Sequence, residues 1–347
     1  MKLNKNHPLY QEDLNGILQT HGMEQLRGKR VVMTGATGLI GICLIDALML
    51  YNRQYAADVH IIALGRNKAT AASVLGEYFD DPLFCFVEHN ALNPLPDSIS
   101  ADYIIPLASN THPLAYSTYP VETMLTNLKG AEHALAMARR QHATVLYPST
   151  VEVYGNARGE DVFTEDYTGA LNLSTARSCY TESKRTAEAL CLSYIEEYGI
   201  TVKIARLSRV FGPTMKESDS KASSQFIKKA LAGDDIVLKS KGEQFFSYTY
   251  VADAVSALLH ILFNGECGVA YNVSTPTCDI HLRDFAALCA AYRDKQVVFD
   301  LPTATEQKGF SVATKAILEN SRLRSLGWQS RYDIQDAVRR TLDILSD

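Results

Sequence analysis

Residues 30–41 read RVVMTGATGLIG, a short apolar run followed at once by a loop with three glycines. An apolar run that ends in glycine is typical of a buried parallel strand, and residues 38–51 continue as a predicted helix. Glycines at such a junction let the backbone turn tightly, approach a pyrophosphate and pack the helix on the strand. The helix N-terminus adds N–H groups and the positive end of its dipole. The stretch therefore predicts a dinucleotide site, with a ligand-free glycine turn as the alternative.

The same pairing of strand and helix recurs further along the chain. Strands are predicted at 58–64, 83–88, 103–107, 143–149 and 201–207, and helices at 68–79, 121–140 and 179–198. Strands that alternate with helices imply a parallel sheet covered on both faces. The predicted fold class is α/β, a doubly wound parallel-sheet Rossmann domain with a smaller interleaved C-terminal substrate-binding lobe.

The regular alternation fades beyond residue 212. Helices at 222–232 and 251–264, a hairpin around Lys241 and Gly242, and an amphipathic segment at 333–345 are predicted there. The predicted organisation has three parts: an N-terminal helical preface over 1–27, a dinucleotide-binding Rossmann domain over 28–211 and 248–265, and a substrate-binding lobe over 212–247 and 266–347.

Composition excludes several classes of protein. The 347 residues are 46% hydrophobic and 21% charged, as in ordinary globular proteins, and the net charge of −5 gives no basic footprint for nucleic acid. No apolar run reaches the roughly 20 residues of a membrane span, and no signal sequence is evident, so we expect a cytoplasmic protein without membrane contact. Seven cysteines without a CxxC pair and nine histidines without a cluster predict reduced thiols and no metal.

The end of the second strand bears on the choice of cofactor. NAD sites usually place a carboxylate there for the ribose 2′-hydroxyl, whereas residues 63–67 read ALGRN. The planar fork of Arg66 suits a 2′-phosphate. NADP is therefore favoured and NAD remains possible; a surface arginine in a loop is the alternative for Arg66.

A second pattern carries proton chemistry. In SCYTESK, residues 178–184, Tyr180 and Lys184 are four residues apart and fall on one helix face. A tyrosine hydroxyl has an ordinary pKa of about 10, and a nearby ammonium favours its phenolate. The pair can then exchange a proton with a substrate alcohol. Thr150, at the carboxyl end of the preceding strand, is placed to orient the substrate oxygen.

Four ordered motifs carry a family resemblance: the glycine loop, STVEVYG at 149–155, the Tyr180–Lys184 helix and RLSRVFGP at 206–213. Together they resemble the extended short-chain dehydrogenase/reductases, and more closely the nucleotide-sugar epimerases, dehydratases and decarboxylases of the NAD-dependent epimerase/dehydratase family. The resemblance runs from about Lys29 to the C-terminus.

The resemblance implies roles for matching positions. Thr150 matches the family's Ser/Thr, Tyr180 its acid/base and Lys184 its ribose-binding lysine. Asn90 stands where the family has an adenine-contacting Asp, although a plain loop asparagine is the alternative. The other implied cofactor contacts are Gly35, Thr37, Gly38, Leu39, Ile40, Gly41, Leu107, Ala108, Ser109 and Asn127.

Glu152 is the residue that extends the chemistry beyond simple redox. In related decarboxylases and dehydratases this glutamate acts beside the sugar ring, where a 4-keto intermediate acidifies the neighbouring C–H group. The alternative is a glutamate that only hydrogen-bonds the backbone at a strand end.

Three positions depart from the family pattern. Val151 replaces the dehydratases' Asp, and Phe246 replaces an arginine that matters for the substrate in decarboxylases, which counts against UDP-glucuronate decarboxylation. Arg209 replaces an asparagine near the substrate phosphates. We predict that Arg209 takes over phosphate binding, aided by Lys239 or Lys241; the alternative is an internal ion pair with an acidic residue.

Three functions follow from these residues. The first is an enzyme that modifies a nucleotide-activated sugar by transient oxidation with a retained cofactor. The second is a plain NADPH-dependent reductase of an activated sugar or polyol. The third is a non-catalytic NADP-sensing module. The resemblance also implies a homodimer that pairs through helices 121–140 and 179–198.

Overall fold

The computed structural model describes residues 3–111, 113–157, 162–300 and 314–346, in which strands and helices alternate as predicted. The strands are β1 Arg30–Thr34, β2 His60–Gly65, β3 Phe84–Glu88, β4 Tyr103–Pro106, β5 Thr144–Thr150, β6 Val202–Leu207, β7 Arg209–Phe211, β8 Ile236–Leu238, β9 Phe245–Tyr250, β10 Ala270–Val273, β11 Asp279–His281, β12 Val297–Phe299 and β13 Lys315–Ala316. The helices are α1 Pro8–Leu18, α2 Leu39–Tyr55, α3 Lys68–Leu75, α4 Pro113–Thr118, α5 Pro120–Gln141, α6 Cys179–Tyr198, α7 Ala222–Ala232, α8 Val251–Asn264, α9 Leu282–Ala291, α10 Ser321–Ser325 and α11 Ile334–Ser346.

A seven-stranded sheet organises the large lobe, with strand order β10-β6-β5-β4-β1-β2-β3. Every neighbouring pair in it is parallel, which confirms the predicted doubly wound α/β fold. The chain proceeds from β1 to β2 and β3 on one side, then crosses to β4 on the other. Ligands bind at the carboxyl ends of strands beside such a switch point, so the topology places a site after β1 and β4.

Helices cover both faces of this sheet because consecutive strand residues point to opposite sides. Val31 and Met33 of β1 belong to the core cluster that includes α2 and α8. Val32, between them, belongs to a second cluster with α5 and α6. The near-continuous apolar run of β1 is thus buried on both faces, which is the reason it lacks alternation. No helix in the described ranges has both the length and the apolar character needed to cross a bilayer.

The first and last glycines of the loop are fixed by close packing. Gly35 has a φ of +68°, and a Cβ on it would lie 2.7 Å from the Ala108 nitrogen. A Cβ on Gly41 would lie 2.7 Å from the Ala36 carbonyl oxygen. Contacts of this kind leave no room for any side chain, so these two positions hold the turn and the start of α2 against their neighbours.

The smaller lobe consists of two minor sheets together with α7 and α9. In one sheet β9 pairs with β7, β11 and β13, and in the other β8 pairs with β12. The predicted hairpin around Lys241 and Gly242 is therefore wrong, because β8 and β9 do not pair with each other. Gly242 does turn with a φ of +66°, but the partners of the flanking strands come from distant parts of the chain.

Two other boundaries differ from those expected. The large sheet includes β10, which lies beyond the boundary predicted at residue 265. The short β7, expected to belong with the large lobe, pairs with β9 of the smaller one. The predicted preface contains α1 and a separate 3₁₀ turn at Met23–Leu26 in place of one helix. These differences arise because strand partners are chosen by long-range packing that local patterns do not contain.

A buried ionic cluster joins the N-terminal segment to the end of β9. The carboxylate of Asp13 accepts hydrogen bonds from the Tyr250 hydroxyl and, at 2.9 Å, from the Arg340 guanidinium. Burial raises the pKa of Asp13 to about 6, although Tyr250 and Arg340 oppose this effect. Arg340 also contacts Glu12 and Asp336, both at 2.9 Å. Since β9 carries residues of the cavity described below, this cluster helps to fix the position of the smaller lobe.

Replacing Arg340 by Ala is expected to destabilise the protein by about 3 kcal/mol or more, because the fully buried Asp13 then loses its cation. The adjacent Arg339 is the matched control: its side chain is 55% exposed against 8% for Arg340. Arg339→Ala should change stability by no more than about 1 kcal/mol. Urea unfolding of both variants measures the difference. Equal losses would contradict the importance of the buried pair.

Candidate active site

A cavity of about 1030 Å³ lies at the carboxyl ends of the large sheet's strands. The loops that follow β1 to β6 line one side of it, and the smaller lobe lines the other. The smaller lobe contributes Lys216, Ser218, Asp219, Lys221, Phe226, Lys239, Gln244, Phe246 and Tyr248, among others. The cavity is as large as those that hold cofactors and drug-sized ligands.

The glycine loop forms one end of the cavity. All its predicted cofactor residues line the cavity: Gly35, Thr37, Gly38, Leu39, Ile40 and Gly41. Gly38 caps α2 without a side-chain hydrogen bond, and a Cβ there would meet only the Gly35 carbonyl oxygen, at 3.1 Å. Glycine at this position therefore leaves space beside the helix N-terminus. An open backbone surface with N–H groups and the positive dipole end fits the pyrophosphate of a nicotinamide dinucleotide.

The cavity wall also includes a buried polar group that lacks a hydrogen-bond partner within the described part of the chain. The Ser149 hydroxyl, at the end of β5, is buried without a hydrogen-bond partner among the described residues and lines the cavity. A buried hydroxyl without a partner costs free energy, and a bound ligand can remove that cost. The residues present therefore fit the cofactor that the glycine loop predicts.

Three predicted catalytic residues converge in this cavity. Thr150, Glu152 and Tyr180 all line it, and Thr150 is near enough to Tyr180 to lower the pKa of its hydroxyl. Thr150 ends β5, and its hydroxyl also accepts from the Glu152 backbone N–H at 3.3 Å, which begins the short 3₁₀ turn that carries Glu152. Tyr180 comes from the first turn of α6.

The pKa of Tyr180 is raised in the structure, whereas the sequence predicted that Lys184 would lower it. Burial raises this pKa well above its ordinary value, the Thr150 hydrogen bond lowers it, and the charge of Glu152 raises it further. Lys184, expected to lower it, donates instead to the Pro148 carbonyl at 2.8 Å. Burial lowers the pKa of Lys184 to about 8. Burial therefore favours the neutral phenol of Tyr180, and formation of the phenolate requires further positive charge.

Asn127 is placed behind the cavity wall. It is buried, accepts from the Ser109 hydroxyl at 2.6 Å and donates to the Ser183 hydroxyl at 2.9 Å. These bonds connect the loop after β4 to α5 and α6. The predicted Leu107, Ala108 and Ser109 line the cavity, whereas Asn127 and Lys184 are not among its lining residues. Asn127 therefore supports the wall through Ser109.

Two other predicted cofactor residues follow the carboxyl ends of β2 and β3. Asn90 lines the cavity, and its side-chain oxygen accepts from the Leu92 backbone N–H at 3.1 Å. Arg66 also lines it but is 67% exposed and pairs with Glu122 of α5 at 3.0 Å. A 2′-phosphate at this place would have to compete with Glu122 for the guanidinium.

Arg209 lies on the substrate side of the same cavity. Its guanidinium carbon is 3.6 Å from the centre of the Phe246 ring, and one terminal nitrogen is 3.7 Å from a Glu152 carboxylate oxygen. Of the two lysines expected to assist it, Lys239 lines the cavity and pairs with Asp300, whereas Lys241 is not among the lining residues.

Sequence reasoning missed several cavity residues. The ring of Tyr116 stacks on Tyr180 with centroids 5.6 Å apart, and the Arg177 guanidinium lies 5.0 Å from the Tyr116 ring centre. His89 has a buried Nε2 atom without a hydrogen-bond partner in the described residues, and burial lowers its pKa. Arg177 directly precedes the motif at 178–184 and lies three residues before Tyr180, which was a usable signal. Tyr116 and His89 have no motif or spacing that marks them. Within the described residues, no three His, Cys, Asp or Glu side chains are grouped to hold a metal ion.

Comparison with known proteins agrees with this geometry. Residues 31–274 match the profile of the NAD dependent epimerase/dehydratase family. UDP-glucuronic acid decarboxylase 1 of Xenopus tropicalis is 30% identical over 317 residues, which cover 90% of this chain and 71% of that protein. UDP-glucuronic acid decarboxylase 6 of Arabidopsis thaliana is 34% identical over 249 residues, 71% of this chain and 69% of that protein.

Solved structures with the same fold include dTDP-glucose 4,6-dehydratase DesIV of Streptomyces venezuelae with NAD and TYD bound. Its TM-score is 0.77 at 21% identity, with 91% of this chain and 96% of that chain covered. UDP-glucose 4-epimerase of Thermotoga maritima has a TM-score of 0.75 at 19% identity, with 91% of this chain and 98% of that chain covered. With the sheet, the glycine loop and the matched profile in agreement, the chain belongs to the NAD-dependent epimerase/dehydratase family, a family of extended short-chain dehydrogenase/reductase enzymes.

Proposed function

We propose that this enzyme modifies a nucleotide-activated sugar by transient oxidation, with an NAD(P) cofactor that stays bound through the cycle. The observation that carries the proposal is the convergence of Thr150, Tyr180 and Glu152 in one cavity with the glycine loop. The relatives named UDP-glucuronic acid decarboxylase support a nucleotide sugar as the substrate class.

The first step is a proton transfer from a sugar hydroxyl. Thr150 and Tyr180 line the same cavity, so a substrate oxygen that binds between their hydroxyls is oriented toward Tyr180 as it loses its proton. The glycine loop would hold a nicotinamide cofactor, which would supply the hydride chemistry, and positive charge placed there would favour the Tyr180 phenolate. Lys184, buried and held by the Pro148 carbonyl, fixes α6 against the end of β5.

Glu152 acts on the oxidised sugar. A ketone on the ring acidifies the neighbouring C–H group, and a carboxylate in the same cavity can remove that proton. The side chain of Glu152 is 41% exposed and lines the cavity, so its carboxylate can reach a bound sugar ring. Val151 beside it cannot protonate a leaving hydroxyl, which makes dehydration by paired carboxylates the less favoured outcome.

A plain NADPH-dependent reductase is the second candidate. The observation in its favour is the 3.7 Å contact between Glu152 and Arg209, which gives Glu152 a structural partner. In that case Thr150 and Tyr180 perform the whole reaction, and the cofactor leaves after each turnover.

We propose NADP over NAD as the cofactor. Arg66 stands at the end of β2, where residues 63–67 provide no carboxylate for a ribose 2′-hydroxyl, and it lines the cavity. Lys216 of the smaller lobe also lines the cavity, and burial together with the charge of Arg66 lowers its pKa, so two basic side chains face the cavity.

Homodimer formation through α5 and α6 is also proposed. Both helices carry exposed apolar side chains, which are Met124 and Leu125 on α5 and Leu192 on α6. A cytoplasmic location is supported by the cysteines, all seven of which are unpaired.

The wild-type enzyme is expected to convert a nucleotide sugar without added NADPH, and Tyr180→Phe should lower that rate by about 10²–10⁴-fold, the scale of positioned proton transfer. Product formation by anion-exchange chromatography measures this, with cofactor binding unchanged. Tyr194→Phe removes a hydroxyl from the same helix outside the cavity and should keep the wild-type rate. A Tyr180→Phe variant that turns over normally would show that another group exchanges the proton.

Glu152→Gln should permit the first oxidation but block the step after it, because the amide cannot remove the C–H proton. In a stopped-flow experiment, the absorbance of the reduced nicotinamide should rise to about one equivalent of cofactor and remain there. Glu182→Gln, a change outside the cavity on the first turn of α6, is the matched control. A complete reaction at the normal rate in Glu152→Gln would favour the reductase.

Arg66→Ala should weaken NADP binding by roughly tenfold or more, the scale of a charge-assisted hydrogen bond, and leave NAD binding nearly unchanged. Calorimetric titration of both cofactors measures this. Lys129→Ala removes an exposed charge from α5 outside the cavity and controls for net charge. Equal losses for both cofactors, or a wild-type preference for NAD, would overturn the NADP assignment.

A further inference from the structure

Arg209 is held in place by a strand pair within the smaller lobe. Through the β7–β9 pairing, Arg209 lies beside Tyr248, and its side chain extends over Phe246. At 3.6 Å from the ring centre, the guanidinium face is stacked on the aromatic ring. Stacking uses the face of the guanidinium and leaves its N–H edge for other partners.

That edge is incompletely satisfied. The Nη1 atom is buried and has no hydrogen-bond partner among the described residues. The Nη2 atom is 3.7 Å from Glu152, which is longer than a hydrogen bond. In the described ranges Glu152 is the one carboxylate within ion-pairing distance of Arg209. A guanidinium that is only 23% exposed and has one ion pair too long for a hydrogen bond retains a strong preference for a closer anion.

The surroundings define the chemistry of that anion. Arg209 and Glu152 line the same cavity as Tyr180, where the sugar ring of the proposed substrate has to bind. A planar guanidinium edge matches two oxygens of a carboxylate or a phosphate. A neutral hydroxyl satisfies one N–H group but leaves the charge unpaired.

We propose that Arg209 binds an anionic group of the substrate and that this group displaces Glu152 from Arg209. Glu152 is then released from its ion pair as the sugar arrives, so the ring base becomes available only in the complex. The inference rests on the proposed function. Two substrate groups share the required chemistry: the phosphate next to the sugar and a carboxylate on the sugar ring.

Binding measurements on four proteins test the proposal: wild type, Arg209→Gln, Glu152→Gln and the double variant. Calorimetry with UDP, UDP-glucose and UDP-glucuronate supplies the anions. Arg209→Gln should bind at least one probe about 10- to 100-fold more weakly, as expected for a lost charge-assisted contact. Glu152→Gln should bind the same probe about two- to fivefold more tightly, since its competing ion pair is gone. The double variant should bind like Arg209→Gln, because Glu152 acts only through Arg209.

The probes separate the two sources of the anion. Weaker binding of all three assigns the contact to phosphate, and weaker binding of UDP-glucuronate alone assigns it to the sugar carboxylate. Arg283→Gln removes an equal charge from the same lobe outside the cavity and should not change affinity. Thermal unfolding of each variant shows that it is folded; should Arg209→Gln not fold, the Glu152→Gln measurement still decides.

Unchanged affinity of Arg209→Gln for every probe, or no tightening in Glu152→Gln, overturns the proposal, as does a wild type that binds none of the three. Arg209-dependent binding without hydride transfer to the cofactor would refute the proposed function and leave this inference standing. Hydride transfer to the cofactor together with binding that does not depend on Arg209 would support the proposed function and overturn this inference.

Discussion

The close approach of two loops at the centre of the sheet is the constraint on which the remaining structure depends. Gly35, after β1, lies so near Leu107 and Ala108, after β4, that a Cβ on it would be 2.7 Å from their backbone atoms. The parallel pairing of Val31 to Thr34 with Tyr103 to Pro106 sets this approach. The strand order switches from one side of the sheet to the other at this pair. The loops after β1 and β4 therefore lead to opposite sides beyond their close contact, and their backbone groups form one wall of the cavity.

Much of the large lobe was predictable from sequence because its elements are defined by local patterns. The helices α6 and α8 have the predicted bounds, as does α7 of the smaller lobe, and β1 coincides with the apolar run that precedes the glycine loop. The smaller lobe was harder. Its strands have two to six residues and pair with partners from distant parts of the chain, so a turn glycine such as Gly242 identified the turn but not the pairing.

The candidate site divides in the same way. Residues within motifs, such as Thr150 and Tyr180, were found and are brought together, whereas Tyr116 reaches the cavity from α4 and His89 from the loop after β3, and neither segment carries a motif. The hydrogen-bond partner of Lys184 could not be predicted from the sequence either. Helical spacing places it one turn from Tyr180, but only the structure shows that its ammonium is bound by the Pro148 carbonyl on the neighbouring strand.

The buried ionic cluster has a consequence for where this protein can be cut. Asp13 supplies the carboxylate for Arg340 and Tyr250, and the hydroxyl of Tyr10 donates to the buried Asp46 of α2 at 2.7 Å. A truncated chain that starts at the first strand would expose the apolar surface under α1 and leave the Arg340 cation and the Asp46 carboxylate without these partners. The first two dozen residues are thus part of the folding unit, and an expression fragment designed around the Rossmann motif alone would be expected to aggregate or unfold.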